Sequence, residues 1–116
     1  MCGMSALITR LYTGQDGQSH IEELDLESHP ELATLQKAEG IIFRSFEPGH
    51  FMDWHPAPRR QFVINLQGEA EIGLPDGTVI HFGPGHVNLA EDVTGRGHTT
   101  KVVGSVPRIT ATIPLA

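Results

Sequence analysis

Seven histidines stand in a chain of 116 residues: His20, His29, His50, His55, His81, His86 and His98. Histidine changes charge near neutral pH, and its neutral imidazole is a common metal ligand. Two or three that converge could hold an ion or move a proton. One that stands alone usually does neither, so spacing is the signal to look for. His55 has the most suggestive setting. It lies in DWHPAPRRQFVINLQG, residues 53–68, just before a Pro-Ala-Pro corner. After the corner comes Gln61 and a segment that alternates like a β-strand and stops at Gly68.

The elements that must position these residues are short. LITRLY (7–12) reads as a first strand, TGQDGQSH (13–20) as a turn-rich loop and IEELDL (21–26) as a weak strand. SHPELATLQ (28–36) reads as one helical turn or a loop, with Pro30 suited to a first helical position. Strands are then expected at 40–46, 51–55, 61–66, 69–74, 78–82, 86–92, 98–104 and 108–113. Glycine- and proline-containing turns separate them, among them a hairpin signal at Pro75-Asp76-Gly77. Such a series describes a β-sandwich or barrel. Side chains alternate along a strand. Strict alternation places Phe51, Asp53 and His55 on one face of 51–55, with Met52 and Trp54 on the other. In 61–66 it places Gln61, Val63 and Asn65 opposite the wholly apolar Phe62, Ile64 and Leu66. If His55 and Gln61 both face inward, Asp53 and Asn65 line the same cavity. Pro56 and Pro58 stiffen the corner between the two strands.

Length and composition bound the rest. A chain of this size is expected to form one domain, residues 1–116, with one core. The 13 glycines and 8 prolines suit many turns between short strands. A formal net charge of −6 argues against nucleic acid and against an anionic membrane surface. No run of about 18 apolar residues exists, so no transmembrane helix is expected. The start, MCGMSALITR, lacks the charged and apolar regions of a secretory signal. The single cysteine, Cys2, has no partner for an internal disulfide. A cytoplasmic protein is the expectation.

The spacing Gly49, five residues, His55, then Gln61, six residues, Gly68 resembles the first motif of the cupin superfamily, G-x5-H-x-H-x3,4-E-x6-G. Ala57 stands where the second histidine would be and Gln61 where the glutamate would be. Gly85 and Gly95-Arg96-Gly97-His98 resemble the second motif, with a longer spacer, Val93 in place of its proline and Val102 in place of its asparagine. The likeness covers about residues 41–104. It implies an all-β fold, the double-stranded β-helix or jelly-roll barrel, with strands 7–26 packing on it and a pocket inside.

The resemblance also implies a site. His55, Gln61 and His98 would be the metal ligands, an N,N,O set suited to Zn, Fe, Mn or Ni. Asp53, Ala57 and Asn65 would line the pocket. Asp53, Glu91 or Asp92 would add a fourth ligand or support the others. The function implied is binding of a divalent metal inside the barrel, and action on, or binding of, a small polar organic molecule. The alternative is a metal-free, non-catalytic binder of small molecules or sugars. If the chain is an enzyme, the altered motif favours isomerase, lyase or cyclase chemistry over dioxygenase chemistry. Arg59 and Arg60 could draw an anionic substrate to the pocket mouth, or could be solvated surface residues. The apolar face Phe62, Ile64, Leu66 calls for a cover, from the N-terminal strands or from a second copy in a homodimer.

Overall fold

The computed structural model describes residues 7–116; Cys2 and the rest of the extreme amino terminus lie outside the described residues. Ten strands follow one another: β1 (Ile8–Thr13), β2 (Ser19–Glu23), β3 (Ile42–Phe46), β4 (Phe51–His55), β5 (Gln61–Gln67), β6 (Glu69–Gly73), β7 (Val79–Phe82), β8 (Val87–Glu91), β9 (His98–Val103) and β10 (Arg108–Pro114). One 3-10 turn, Pro30–Ala33, lies between β2 and β3, with proline in its first turn as the sequence suggests. The strands match the expected positions closely, because each is bounded by residues that favour turns. Only β2 moves appreciably: it starts at Ser19 and ends before Leu24, which is buried instead in the connection that follows.

The strands form two sheets. One has the order β2-β1-β8-β5-β10-β3, the other β4-β9-β6-β7. All the pairings are antiparallel except β1 with β8. No helix among the described residues is long and apolar enough to cross a membrane. The two N-terminal strands do not lie over the apolar side of β5. They lengthen its sheet, β1 pairing with β8 on one side and β2 on the other.

The sheets bury different chemistry. The four-stranded sheet turns Ile72, Leu74, Ile80 and Phe82 inward, where they pack with Leu11 of β1. Burial of such a side chain contributes about 1.5–3 kcal/mol, so this cluster anchors one sheet on the other. The six-stranded sheet turns mostly polar residues inward. In β10, Arg108, Thr110 and Thr112 are buried on one face. In β5 and β8, Gln61, Asn65 and Asn88 are buried likewise. The sandwich is thus dry at one part of its interior and polar at another.

The polar interior is held by its own hydrogen bonds. Thr9 Oγ donates to Asn88 Oδ1 at 2.9 Å and lies 2.9 Å from His86 Nε2. A hydroxyl has one proton to give, so His86 Nε2–H donates to Thr9. The His86 ring stacks on Phe82 at 3.9 Å between centroids. Burial, with smaller contributions from Arg108 and His81, pushes the His86 imidazole down to about 4, so it is neutral at physiological pH. His86 is therefore a structural histidine of this network.

Candidate functional site

The site is built where an edge strand of one sheet meets the middle of the other. His55 closes β4 and His98 opens β9, and the two are direct partners across the sheet. Their rings stand 4.7 Å apart between centroids, tilted by 53°. Gln61 opens β5 in the opposite sheet and is buried. All three, with Ala57 from the corner between β4 and β5, line one cavity of about 240 Å³. Residues remote in sequence meet there because β4 and β9 pair while β5 faces them.

The corner itself is tied down. Ala57 N–H donates to the Asp92 carbonyl at 2.8 Å. Gly97 lets the turn before β9 pass against the end of β4. Its φ is +83°, and a Cβ there would lie less than 3.0 Å from the carbonyl of His55 and the nitrogen of Pro56. Only glycine fits both the conformation and the space. The glycines flanking Arg96 therefore have a spatial reason: the second brings His98 up against His55.

Both imidazoles are fixed in the same tautomer. His55 Nδ1 donates to the Asp53 carbonyl at 2.7 Å. His98 Nδ1 donates to Asp92 Oδ2 at 2.6 Å. Asp92 is fully buried and also accepts from Ser19 Oγ at 2.7 Å. Its other oxygen, Oδ1, has no hydrogen-bond partner among the described residues. In each ring, Nε2 is left with no hydrogen-bond partner among the described residues. A histidine whose Nδ1–H is held by oxygen presents the lone pair of Nε2, the arrangement found in metal-ligating histidines.

The donor set has limits. Among the described residues no group of three His, Cys, Asp or Glu side chains is arranged to hold a metal ion. The cavity's other oxygen-bearing side chains are neutral, Gln61 and Asn88 with three threonines, and of these Gln61 is the one the sequence singled out as a third donor. Two imidazoles and an amide fit a divalent ion in kind, with solvent completing the shell. The set is neutral, so it balances none of the ion's charge. A weak site is what such a set can make.

Of the other expected pocket residues, Ala57 lines the cavity but Asp53 and Asn65 do not. Asp53 is exposed. The reason is a bulge in β4: Met52 pairs with Thr100 and His55 with His98, so three steps on β4 match two on β9. A bulge inserts one residue and reverses the alternation. Met52 and His55 line the cavity, and Asp53 takes the side that strict alternation gave to Met52. Asn65 has the expected parity and is buried, but its side chain is used within the fold. Its amide donates to the Gly68 carbonyl at 2.7 Å and its oxygen accepts from Arg108 Nε at 2.6 Å.

Arg59 and Arg60 do not line the cavity. Arg59 lies 3.7 Å from Glu39, and Arg60 pairs with Glu91, which Arg10 also contacts at 2.5 Å. Burial alone would raise the Glu91 carboxyl, but the hydrogen bonds from Arg60 and Arg10 outweigh it and hold the group below the usual range. Of the three carboxylates considered as support, Asp92 is the one that touches a cavity histidine. The cavity's cations are Arg44 and Arg108. Arg108 was detectable as the first member of the polar face of RITATI, in which Arg108, Thr110 and Thr112 alternate with Ile109, Ala111 and Ile113. Asn88 and Thr100 were read only as strand residues, and no motif marks them.

Solved structures share this architecture. One is an uncharacterized conserved protein with a double-stranded β-helix domain from Klebsiella pneumoniae, 20% identical, with a TM-score of 0.53 over 70% of this chain and 75% of that one. This chain has the cupin fold. A predicted oxalate decarboxylase from Thermotoga maritima is 18% identical, with a TM-score of 0.51 and complete coverage of both chains. A cupin superfamily protein from Desulfitobacterium hafniense is 18% identical over 81% of this chain and 90% of that one, with a TM-score of 0.47. No family model matches the chain, and no curated protein is similar to it in sequence. At such identities the likeness extends to the cupin fold and not to the chemistry of its cavity.

Proposed function

We propose that this cupin binds a divalent metal ion in its cavity and, beside it, a small polar organic molecule. His55 and His98 would hold the ion through Nε2, with the Gln61 amide as third donor. The observation that carries this reading is the shared tautomer: both Nδ1 atoms are engaged by oxygen, and both cavity imidazoles keep a free Nε2. When bound, the ion supplies Lewis acidity, polarising a carbonyl or stabilising an enolate. The protein's own contribution is orientation. Asp92 keeps the proton of His98 on Nδ1 and makes Nε2 a better donor, and the Asp53 carbonyl does the same for His55.

The test is a titration of the purified, metal-free protein with Zn(II), Ni(II) and Mn(II) by calorimetry at several pH values. One ion per chain is expected. Affinity should fall below about pH 6, because protons then compete for the imidazoles. His55→Ala should reduce affinity at least tenfold. A response that is flat between pH 5 and 8, or unchanged in the variant, would exclude histidine ligation.

A second reading is favoured by the Asp92–His98 pair itself. A buried carboxylate on Nδ1 also makes Nε2 a competent base, so a metal-free cavity could bind its ligand and take a proton from it at His98. The same titration separates the two readings.

We also propose a homodimer. The outer face of the six-stranded sheet carries Phe62 and Ile64, both partly buried, with Leu66 51% exposed and Phe43 65% exposed. Apolar side chains grouped in this way rarely stay in water. Sedimentation equilibrium at micromolar concentration should give the dimer mass. Leu66→Lys should give a folded monomer with a lower melting temperature that no longer depends on protein concentration, since Leu66 contributes little to the fold of one chain but the association that stabilised it is lost. A monomeric parent protein would end the proposal.

A further inference from the structure

The charge inside the cavity is opposite to that of the molecule. The chain has a net charge of −6, yet neither Asp nor Glu is among the cavity-lining residues. Two arginines are. Arg108 is 5% exposed. Among the described residues its one side-chain hydrogen bond runs from Nε to Asn65 Oδ1 at 2.6 Å, and no carboxylate pairs with it. Asn65 is itself held by the Gly68 carbonyl, so the guanidinium is aimed by a fixed amide while the rest of its N–H donors have no acceptor among the described residues. Arg44 lines the same cavity from the neighbouring strand and makes no ion pair among the described residues. Arg108 pairs with Phe46 and Arg44 with Thr110, so the two arginines are diagonal neighbours on one inner face. Backbone positions so related lie about 7–8 Å apart.

A buried guanidinium without a counterion is costly, and proteins tolerate it where the charge has a use. Burial pushes the Arg108 guanidinium down to about 10, which leaves it charged at neutral pH. The planar fork of arginine matches the paired oxygens of a carboxylate or phosphate. Thr110 and Thr112 on β10 and Thr100 on β9, each with a hydroxyl, line the same space. They add donors without adding negative charge.

We infer that the cavity's ligand is a small oxyanion, an organic carboxylate or a phosphate, held through its anionic group by Arg108 with Arg44 beside it. The cavity's volume of about 240 Å³ limits the ligand to a small molecule. This rests on reading the cavity as a small-molecule site. It does not require the metal.

The experiment measures binding of malonate, inorganic phosphate and the uncharged analogue malonamide to the metal-free protein, by calorimetry and by thermal shift. At least one of the two anions should bind and raise the melting temperature, and malonamide should do neither. Which anion responds separates carboxylate from phosphate. Arg108→Met should weaken anion binding at least tenfold. If that variant does not fold, Arg108→Lys carries the test. It keeps the charge but not the fork, and should still lose about tenfold. Binding of malonamide equal to that of malonate, wild-type anion affinity in the Arg108 variant that folds, or no response to either anion would overturn the inference. Failure of the metal reading would appear elsewhere, as absent Zn(II) or Ni(II) binding, with the anion results unchanged.

Discussion

Gly97→Ala should cost more than about 4 kcal/mol of stability, in the range reached only when a substitution breaks a specific structural requirement. Two penalties combine at this position. The backbone has a φ of +83°, where a side chain costs roughly 1–2 kcal/mol. The new methyl would also meet the His55 carbonyl and the Pro56 nitrogen, which are backbone atoms of a proline-stiffened corner and cannot swing aside. The end of β4 and the start of β9 must then separate, and these are the segments that carry His55 and His98. A domain with a total stability of about 5–15 kcal/mol loses a large share of it, and the site with it. Gly77→Ala is the matched control. Its φ is +92°, but nothing lies within 4 Å of its would-be Cβ, so only the conformational penalty applies. Urea denaturation of both variants checks the argument. Equal losses would mean that the close approach at Gly97 is not what holds the two strands together.

Asp92→Asn should leave the fold standing but weaken metal binding by about 10–100-fold, the range found when a carboxylate supporting a ligand is altered. Asp92 Oδ2 accepts from both His98 Nδ1 and Ser19 Oγ. An asparagine oxygen can occupy the same place and accept both bonds, so the tautomer survives. Two things change. The negative charge that makes His98 Nε2 a strong donor is gone. The new amide NH2 falls at the position of Oδ1, which has no partner among the described residues, and an unmet buried donor costs about 1–3 kcal/mol. Calorimetric titration with Ni(II), beside a thermal melt, separates the two effects. If affinity stays at the parent value while stability drops, Asp92 serves the fold alone. Asp92→Ala is the stronger perturbation, since it strands His98 Nδ1 and Ser19 Oγ together.

Much of the architecture could be read before the structure. Each strand is short and meets a Gly, Pro or Asp at its end or within two residues beyond it, so its limits are largely local properties of the chain. The two faces of β5 follow from alternation alone, and Gln61 and Val63 line the cavity as that alternation requires. The motif spacing carried His55, Gln61 and His98 to one cavity although 43 residues separate the first from the last. Asp53 escaped because a bulge is a relation between two strands: nothing in FMDWH says that β9 will oppose it with one residue fewer. Arg108 escaped for a different reason. Its parity in β10 was plain, but whether a strand's polar face looks inward depends on what the opposite sheet presents.

The sequence alone therefore determined the number of strands and the approximate limits of all but β2, the polar and apolar faces of β5, and the glycines and histidines that mark the motif, because these depend on neighbours along the chain. Tertiary structure decided what those faces meet. It placed Asp92 behind His98 and drew Asn65 away from the cavity to orient Arg108. It also turned Arg59 and Arg60 to surface ion pairs while leaving Arg44 and Arg108 as the cavity's cations. Charge pairing, burial and register are settled between segments far apart in sequence, so no local pattern records them.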